Sequence, residues 1–207
     1  YNHKTRVATA KQDFRLQDIT GENGMTLSKV ISKLILGVVA GSFLALPVSY
    51  MPANAQTAAT GKTGLPIPRF VSIKSGKANM RVGPGSKYQV AWLYKKKGLP
   101  MEIIQEFDNW RKVRDPEGNE GWMLHSLLSG KRTAVINPWE QNNKKGMADL
   151  KSDDNPAAST RAKIEPGVVA NVDYCGEDFC HLTIGKHDGY VSKAHVWGVY
   201  PDELIEE

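Results

Sequence analysis

From Phe70 onward the chain never repeats its apolar residues at helical spacing. Short runs rich in β-branched and aromatic residues are instead cut off every few positions by turn signals. The first set reads FVSIKS, YQVAWLYK, LPMEIIQEF, WRKVRD and EGWMLH, with GPG, KKKG, FDN and DPEGN between them. Five runs of this length and spacing predict a small all-β barrel. A second set, ADLKS, STRAKI, GVVANVDYC, FCHLTI and HDGYVSK, follows a polar bridge, NPWEQNNKKG. The expected units are 70–136 and 148–207, with 137–147 as a linker. They read as diverged repeats: Gly121-Trp122-Met123 matches Gly189-Tyr190-Val191, and Trp110…Val113 matches Phe179…Leu182. Units of about 60–70 residues bury only about 60% of the chain's surface, so each needs a staple or a neighbour to pack on.

Upstream, Lys29 and Lys33 precede a 13-residue apolar run, Leu34–Leu46, followed by Pro47, Pro52 and Ala53-Asn54-Ala55. That order is the order of a secretory signal peptide, read here over 25–55 with cleavage after Ala55. The run falls short of the ~20 residues a membrane span needs. A periplasmic or secreted protein with no stable membrane span is therefore expected. Residues 1–24 read as an extension without a structural role, and 56–69, rich in Thr, Ala, Gly and Pro, as a linker. Gly61-Lys62-Thr63 is not a phosphate-binding loop, because Gln56 stands where that motif needs glycine and no strand precedes it.

The whole chain carries a net charge of +5, but residues 56–207 hold 21 basic and 19 acidic residues, a net +2. That balance argues for no nucleic-acid partner. Cys175 and Cys180 enclose four residues. In an exported protein a disulfide across a hairpin is the expected state, with Cα atoms ~4.5–5.5 Å apart. His181 and His187 are close in sequence, yet a structural zinc needs four convergent ligands, so no metal is expected. No cofactor motif is found either. A catalytic cysteine needs an activating histidine and usually a helix N-terminus, and no other nucleophile–base pattern is present. The chain reads as a non-enzyme.

These residues carry a resemblance. Ser72–Gly130 resembles a bacterial Src-homology-3-like (SH3b) domain through Asn79-x-Arg81-x-Gly83-Pro84-Gly85, Trp110-x-x-Val113 and Gly121-Trp122. The second unit is similar to the companion repeat of the exported tandem type common in alphaproteobacteria, through Cys175, Cys180 and the ending WGVYPDE (Trp197–Glu203). The resemblance implies two tandem five-stranded SH3-like barrels. It also implies a non-catalytic cell-envelope module tied to cell-wall binding, to peptidoglycan glycan or peptide. The partner would be a cell-wall polymer or an envelope protein. A periplasmic protein–protein adaptor is the alternative reading, and an accessory part of a cell-wall hydrolase system a more distant one. The second unit keeps Arg161 but lacks the Gly-Pro-Gly elbow, which puts a site built on that elbow in doubt there.

The candidate ligand-binding residues are Trp110, Tyr88, Trp122, Arg81 and Lys112. If Val113 points inward, alternation turns Trp110 and Lys112 outward as a ligand platform; a bulge that re-aims Trp110 into the barrel end is the competing reading. Arg81 suits an anionic ligand group, but more often such an arginine ties a tight loop through backbone carbonyls. In the elbow, Pro84 fixes φ and Gly85 is expected to take a positive φ. Val90, Trp92 and Tyr94 share a face that reads as core. Lys95-Lys96-Lys97 with Arg111, Lys112 and Arg114 form a possible basic strip, diluted by Glu102, Glu106 and Asp108.

Overall fold

The structure is a computed structural model that describes residues 6–8, 59–140 and 146–206. The expected signal peptide lies outside the described residues. The architecture is all-β. A short strand β1 (Arg6–Ala8) runs parallel to β6, and β2 (Ala59–Thr60) pairs with β3 (Pro66–Ile67). The first barrel comprises β4 (Arg69–Ile73), β5 (Ala78–Arg81), β6 (Val90–Tyr94), β7 (Pro100–Phe107), β8 (Trp110–Arg114), β9 (Glu120–Leu124) and β10 (Leu128–Ser129). The second comprises β11 (Thr133–Ile136), β12 (Ala148–Lys151), β13 (Thr160–Ile164), β14 (Val169–Cys175), β15 (Phe179–Ile184), β16 (His187–Ser192) and β17 (Val196–Trp197). Their strand orders, β6-β5-β9-β8-β7-β4-β10 and β13-β12-β16-β15-β14-β11-β17, are the same.

Several features depart from the sequence reading. Arg6–Ala8, within the extension expected to have no structural role, pairs with β6, and 56–69, expected as a linker with no strand before Gly61, holds the β2–β3 pair. Each barrel has seven strands rather than five, because Ala78–Arg81, which lacks β-branched residues, is a strand and each barrel closes with a two-residue strand after a 3₁₀ turn. Thr133–Ile136 also belongs to the second barrel, where it pairs with β14 and β17. The connection between barrels is therefore only residues 130–132, and the expected linker 137–147 falls between β11 and β12 of the second barrel, with a 3₁₀ turn at Pro138–Glu140.

The registers superpose the repeats residue by residue. Ile103, Val113 and Met123 of the first core stand where Val172, Leu182 and Val191 stand in the second, and Met80 and Met101 where Leu150 and Ala170 stand. The repeated glycine before the aromatic has a steric cause. A Cβ on Gly121 would lie 2.8 Å from the Arg81 carbonyl, and one on Gly189 would lie 2.7 Å from that of Lys151. Only glycine lets β9 cross β5, and β16 cross β12, at this distance.

The segment from Trp197 of β17 onward fastens the barrels together. Phe70 of β4 meets the Trp197 ring edge-on at 5.0 Å and the Tyr200 ring at 4.7 Å. The Tyr200 hydroxyl donates to Glu102 Oε1 at 3.0 Å. Burial and the neighbouring Glu102 charge push the Tyr200 hydroxyl well above the usual tyrosine range. Arg132 grips Glu203 through both guanidinium nitrogens, at 2.6 and 2.9 Å, and donates to the Gly198 carbonyl. The WGVYPDE ending is thus an inter-barrel clasp.

Candidate binding surface

In β8, Arg111 and Val113 are buried while Trp110, Lys112 and Arg114 lie half-buried on the opposite face. Trp110 thus shares a face with Lys112 and Arg114, opposite Val113. The bulge lies one strand away, between Ile103 and Gln105 of β7, and leaves β8 regular. Around Trp110 the register places Phe107 and Leu124, and opposite Lys112 it places Gln105 and Trp122. Phe107 is 46% exposed and meets Trp122 edge-on at 6.5 Å. Phe107 was not among the sequence candidates because it reads as the end of a core run. Its position directly across the two-residue Asp108-Asn109 turn from Trp110 was the available signal. Lys62 Nζ sits 5.4 Å from the Phe107 ring centre and 3.7 Å from Asp108 Oδ1.

The charges on this face are matched. Lys112 Nζ lies 2.8 Å from Glu120 Oε2, and Arg114 reaches Glu120 at 2.9 Å and Glu102 at 3.0 Å. Hydrogen bonds from Lys112 and then Arg114 hold the Glu120 carboxyl below its usual range. Such half-exposed pairs add little stability but leave neither Lys112 nor Arg114 without a carboxylate partner. The possible basic strip does not form, since Arg111, Lys112 and Arg114 are each paired with a carboxylate. Arg111 points inward, its Nε 3.2 Å from Glu106 Oε1 and its Nη1 donating to the Asp108 and Trp110 carbonyls. Only Lys95-Lys96-Lys97 remain unmatched, and they lie elsewhere, in a cleft between the barrels.

At the elbow, Arg81 stands opposite Trp122, and its Nη1 donates to the Tyr88 carbonyl at 2.6 Å. It ties the loop to the sheet, as a structural arginine does. Gly85 does not take a positive φ. The loop instead needs glycine at 83 because the Tyr88 ring lies on it: a Cβ there would come 2.6 Å from the ring. Tyr88 itself is 39% exposed. Trp92 packs against the core and Tyr94 is buried, its hydroxyl donating to Asp115 Oδ2 at 2.8 Å, so these two are core as expected; Val90, beyond the register shift in the β5–β6 pair, is only half-buried and lies outside that cluster.

The second barrel keeps the loop and loses the surface. Lys151, not Arg161, occupies the Arg81 position, and its Nζ donates to the Pro156 and Ala158 carbonyls. The loop closes with the same bond, Ser152 N–H to the Ser159 carbonyl, as Val82 makes to Gln89. With Ala158 in place of Tyr88, Asp153 can stand in place of Gly83. On the outer face, His181 stacks on Tyr174 at 5.0 Å and stands between Asp173 and Asp188 at 3.1 and 3.4 Å. The Tyr174 and Tyr190 hydroxyls are 2.6 Å apart. This cluster satisfies its own polar groups, whereas the Phe107–Trp110–Trp122 face presents rings.

Cys175 and Cys180 form a disulfide, with Cα atoms 4.0 Å apart. They are closer than expected because Cys175 exchanges both backbone hydrogen bonds with Ile205, which makes Cys175–Cys180 the narrow, non-hydrogen-bonded kind of pair. Among the described residues no group of three or more His, Cys, Asp or Glu is placed to hold a metal ion, and no helix is long and apolar enough to cross a membrane.

The family model described as bacterial SH3 domain matches residues 74–130 and 144–198. No curated protein matches the chain. Among solved structures, NlpC2 from Trichomonas vaginalis is similar at 10% identity and a TM-score of 0.27, over 63% of this chain and 48% of that one. An NlpC/P60 family protein from Bacillus cereus is similar at 10% identity and a TM-score of 0.27, over 62% of this chain and 55% of that one. The chain spans about half the length of these structures.

Proposed function

The chain belongs to the bacterial SH3 domain family, and from that premise we propose that it is a non-catalytic module of the cell envelope that holds peptidoglycan through the outer face of its first barrel. Modules of this family bind cell-wall material, and the family together with the disulfide points to an extracellular or periplasmic location. The observation that carries the reading is the row of Phe107, Trp110 and Trp122 on one sheet face, with Phe107 open to solvent and the flanking charges already paired. Aromatic surfaces of this kind serve sugars and extended peptides, which offer apolar faces and backbone groups but little charge. Arg81 and Tyr88 form the rim, with Arg81 in the positioning role. Lys112, paired with Glu120, orients polar ligand groups instead of attracting them from a distance.

The test is retention on purified cell-wall sacculi. Wild type is retained, and both Trp110→Ala and the more exposed Phe107→Ala lose most of that retention while keeping the wild-type melting temperature within a few degrees. Equal retention of the wild type and both variants overturns the reading. No retention of any form transfers the face to a protein partner.

A further inference from the structure

Between the barrels lies a cleft of about 740 Å³ that the outer face does not use. Five lysines line it, Lys74, Lys95, Lys96, Lys97 and Lys131, and no carboxylate does. Among the described residues none of the five is paired with Asp or Glu; Lys96 alone has a partner, the Gly167 carbonyl at 3.5 Å, and burial lowers its pKa. Like charges gathered on one concave wall repel one another and focus a positive field into it. Nothing in the cores requires them, since four of the five side chains are exposed. The second observation is Thr133, which lines the same cleft and is 4% exposed, with its Oγ1 buried and unpartnered. Buried hydroxyls are ordinarily hydrogen-bonded, so this one marks a position for an atom from outside the protein.

The donor set selects among anions. No arginine lines the cleft, and the planar guanidinium fork is the group that matches a carboxylate. Lysine is a compact point charge suited to the denser charge of a phosphoryl group. The volume falls within the range of about 300–1,000 Å³ for sites that enclose small ligands. We propose that the inter-barrel cleft binds a phosphoryl-bearing ligand of about sugar-phosphate size, held by the lysines and by the Thr133 hydroxyl. Two sources share that chemistry, a condensed phosphate and a phosphorylated saccharide. The site is separate from the outer aromatic face and does not depend on it.

Calorimetric titration of the purified protein at about 20 mM salt, where screening is weak, uses three probes: tripolyphosphate, glucose 1,6-bisphosphate and trigalacturonate. At least one phosphoryl probe binds, and trigalacturonate binds at least about 10-fold more weakly. The double variant Lys95→Gln/Lys97→Gln loses about 10-fold or more, the scale of one lost charge-assisted contact. Thr133→Val, which leaves the charge unchanged, weakens binding several-fold, and Lys77→Gln, an exposed lysine outside the cleft, changes nothing. Tighter binding of the sugar bisphosphate identifies the saccharide source, and tighter binding of tripolyphosphate the condensed phosphate. The proposal is overturned if neither phosphoryl probe binds, if trigalacturonate binds equally well, or if Lys77→Gln costs as much as the cleft variants. Retention on sacculi is scored separately, so loss of one site and loss of the other are distinguishable.

Discussion

At the tip of the β7–β8 hairpin Glu106 faces Arg111, and at the tip of the β14–β15 hairpin Cys175 faces Cys180, in the same register and with the same spacing. One barrel closes this corner with a buried ion pair, the other with a covalent bond. Glu106, whose side chain is 1% exposed, also accepts from Arg69 at 2.7 Å and from the Thr63 amide and hydroxyl, so it fastens the segment that precedes the first barrel. Cys175 fastens Ile205, which follows the second, through backbone bonds. The cores differ to match. The first is filled by Met80, Met101, Met123 and Tyr94, with Trp92 against them; the second has Leu150, Ala170, Val191, Ile164 and Ala162 at those positions. The barrel with the smaller side chains at these five positions carries the staple.

This comparison breaks most readily at Glu106. Glu106→Ala leaves Arg111 and Arg69 without their shared partner, at a cost of about 3–5 kcal/mol. Hydrogen exchange resolved by barrel should place most of the loss between residues 63 and 128; an equal loss in both barrels would contradict independent corners. Acid acts on the same group. Burial alone would raise the Glu106 carboxyl, but bonds from Arg69 and Thr63 and the Arg111 charge bring it down to about 2. A depressed folded-state value means stability that is present above the unfolded value near 4.5 and lost as the pH falls toward 2. That loss is about 3 kcal/mol. Melts between pH 5 and 2 check it, and Glu106→Ala should flatten most of the slope.

Reduction of the disulfide comes next, at about 2 kcal/mol for so short a ring in the loop-entropy description. Protection should fall within the second barrel and leave the Glu106 corner unchanged. Smallest is the elbow. Gly83→Ala costs about 1 kcal/mol because the Tyr88 ring must swing aside, while Asp153→Ala in the equivalent loop is neutral. The double variant Gly83→Ala/Tyr88→Ala recovers the loss, and a thermal-melt cycle measures the coupling.

Much of this was legible in the residues. The five runs of the second unit each became a strand, because alternation and β-branched residues are local signals. Thr133–Ile136 was not assigned correctly, since its partners are Val169–Asn171 and Val196–Trp197 and sequence proximity favours the wrong barrel. The outward face of Trp110 followed from Val113, but Phe107 did not, because exposure at a hairpin end depends on what fails to cover it. The positive φ expected at Gly85 is not taken, and the elbow's steric need for glycine falls instead at Gly83, under the Tyr88 ring. Arg111 was counted as surface charge, since nothing in WRKVR says that an arginine will find a buried carboxylate.

The clasp also makes the surface of the first barrel depend on residues far along the chain. Phe70 and Glu102 precede their partners Trp197 and Tyr200 by a whole barrel, Tyr200 lying 98 residues after Glu102. A first barrel that has closed its own sheet without the segment from Trp197 to Glu203 therefore lacks the two rings that pack on Phe70.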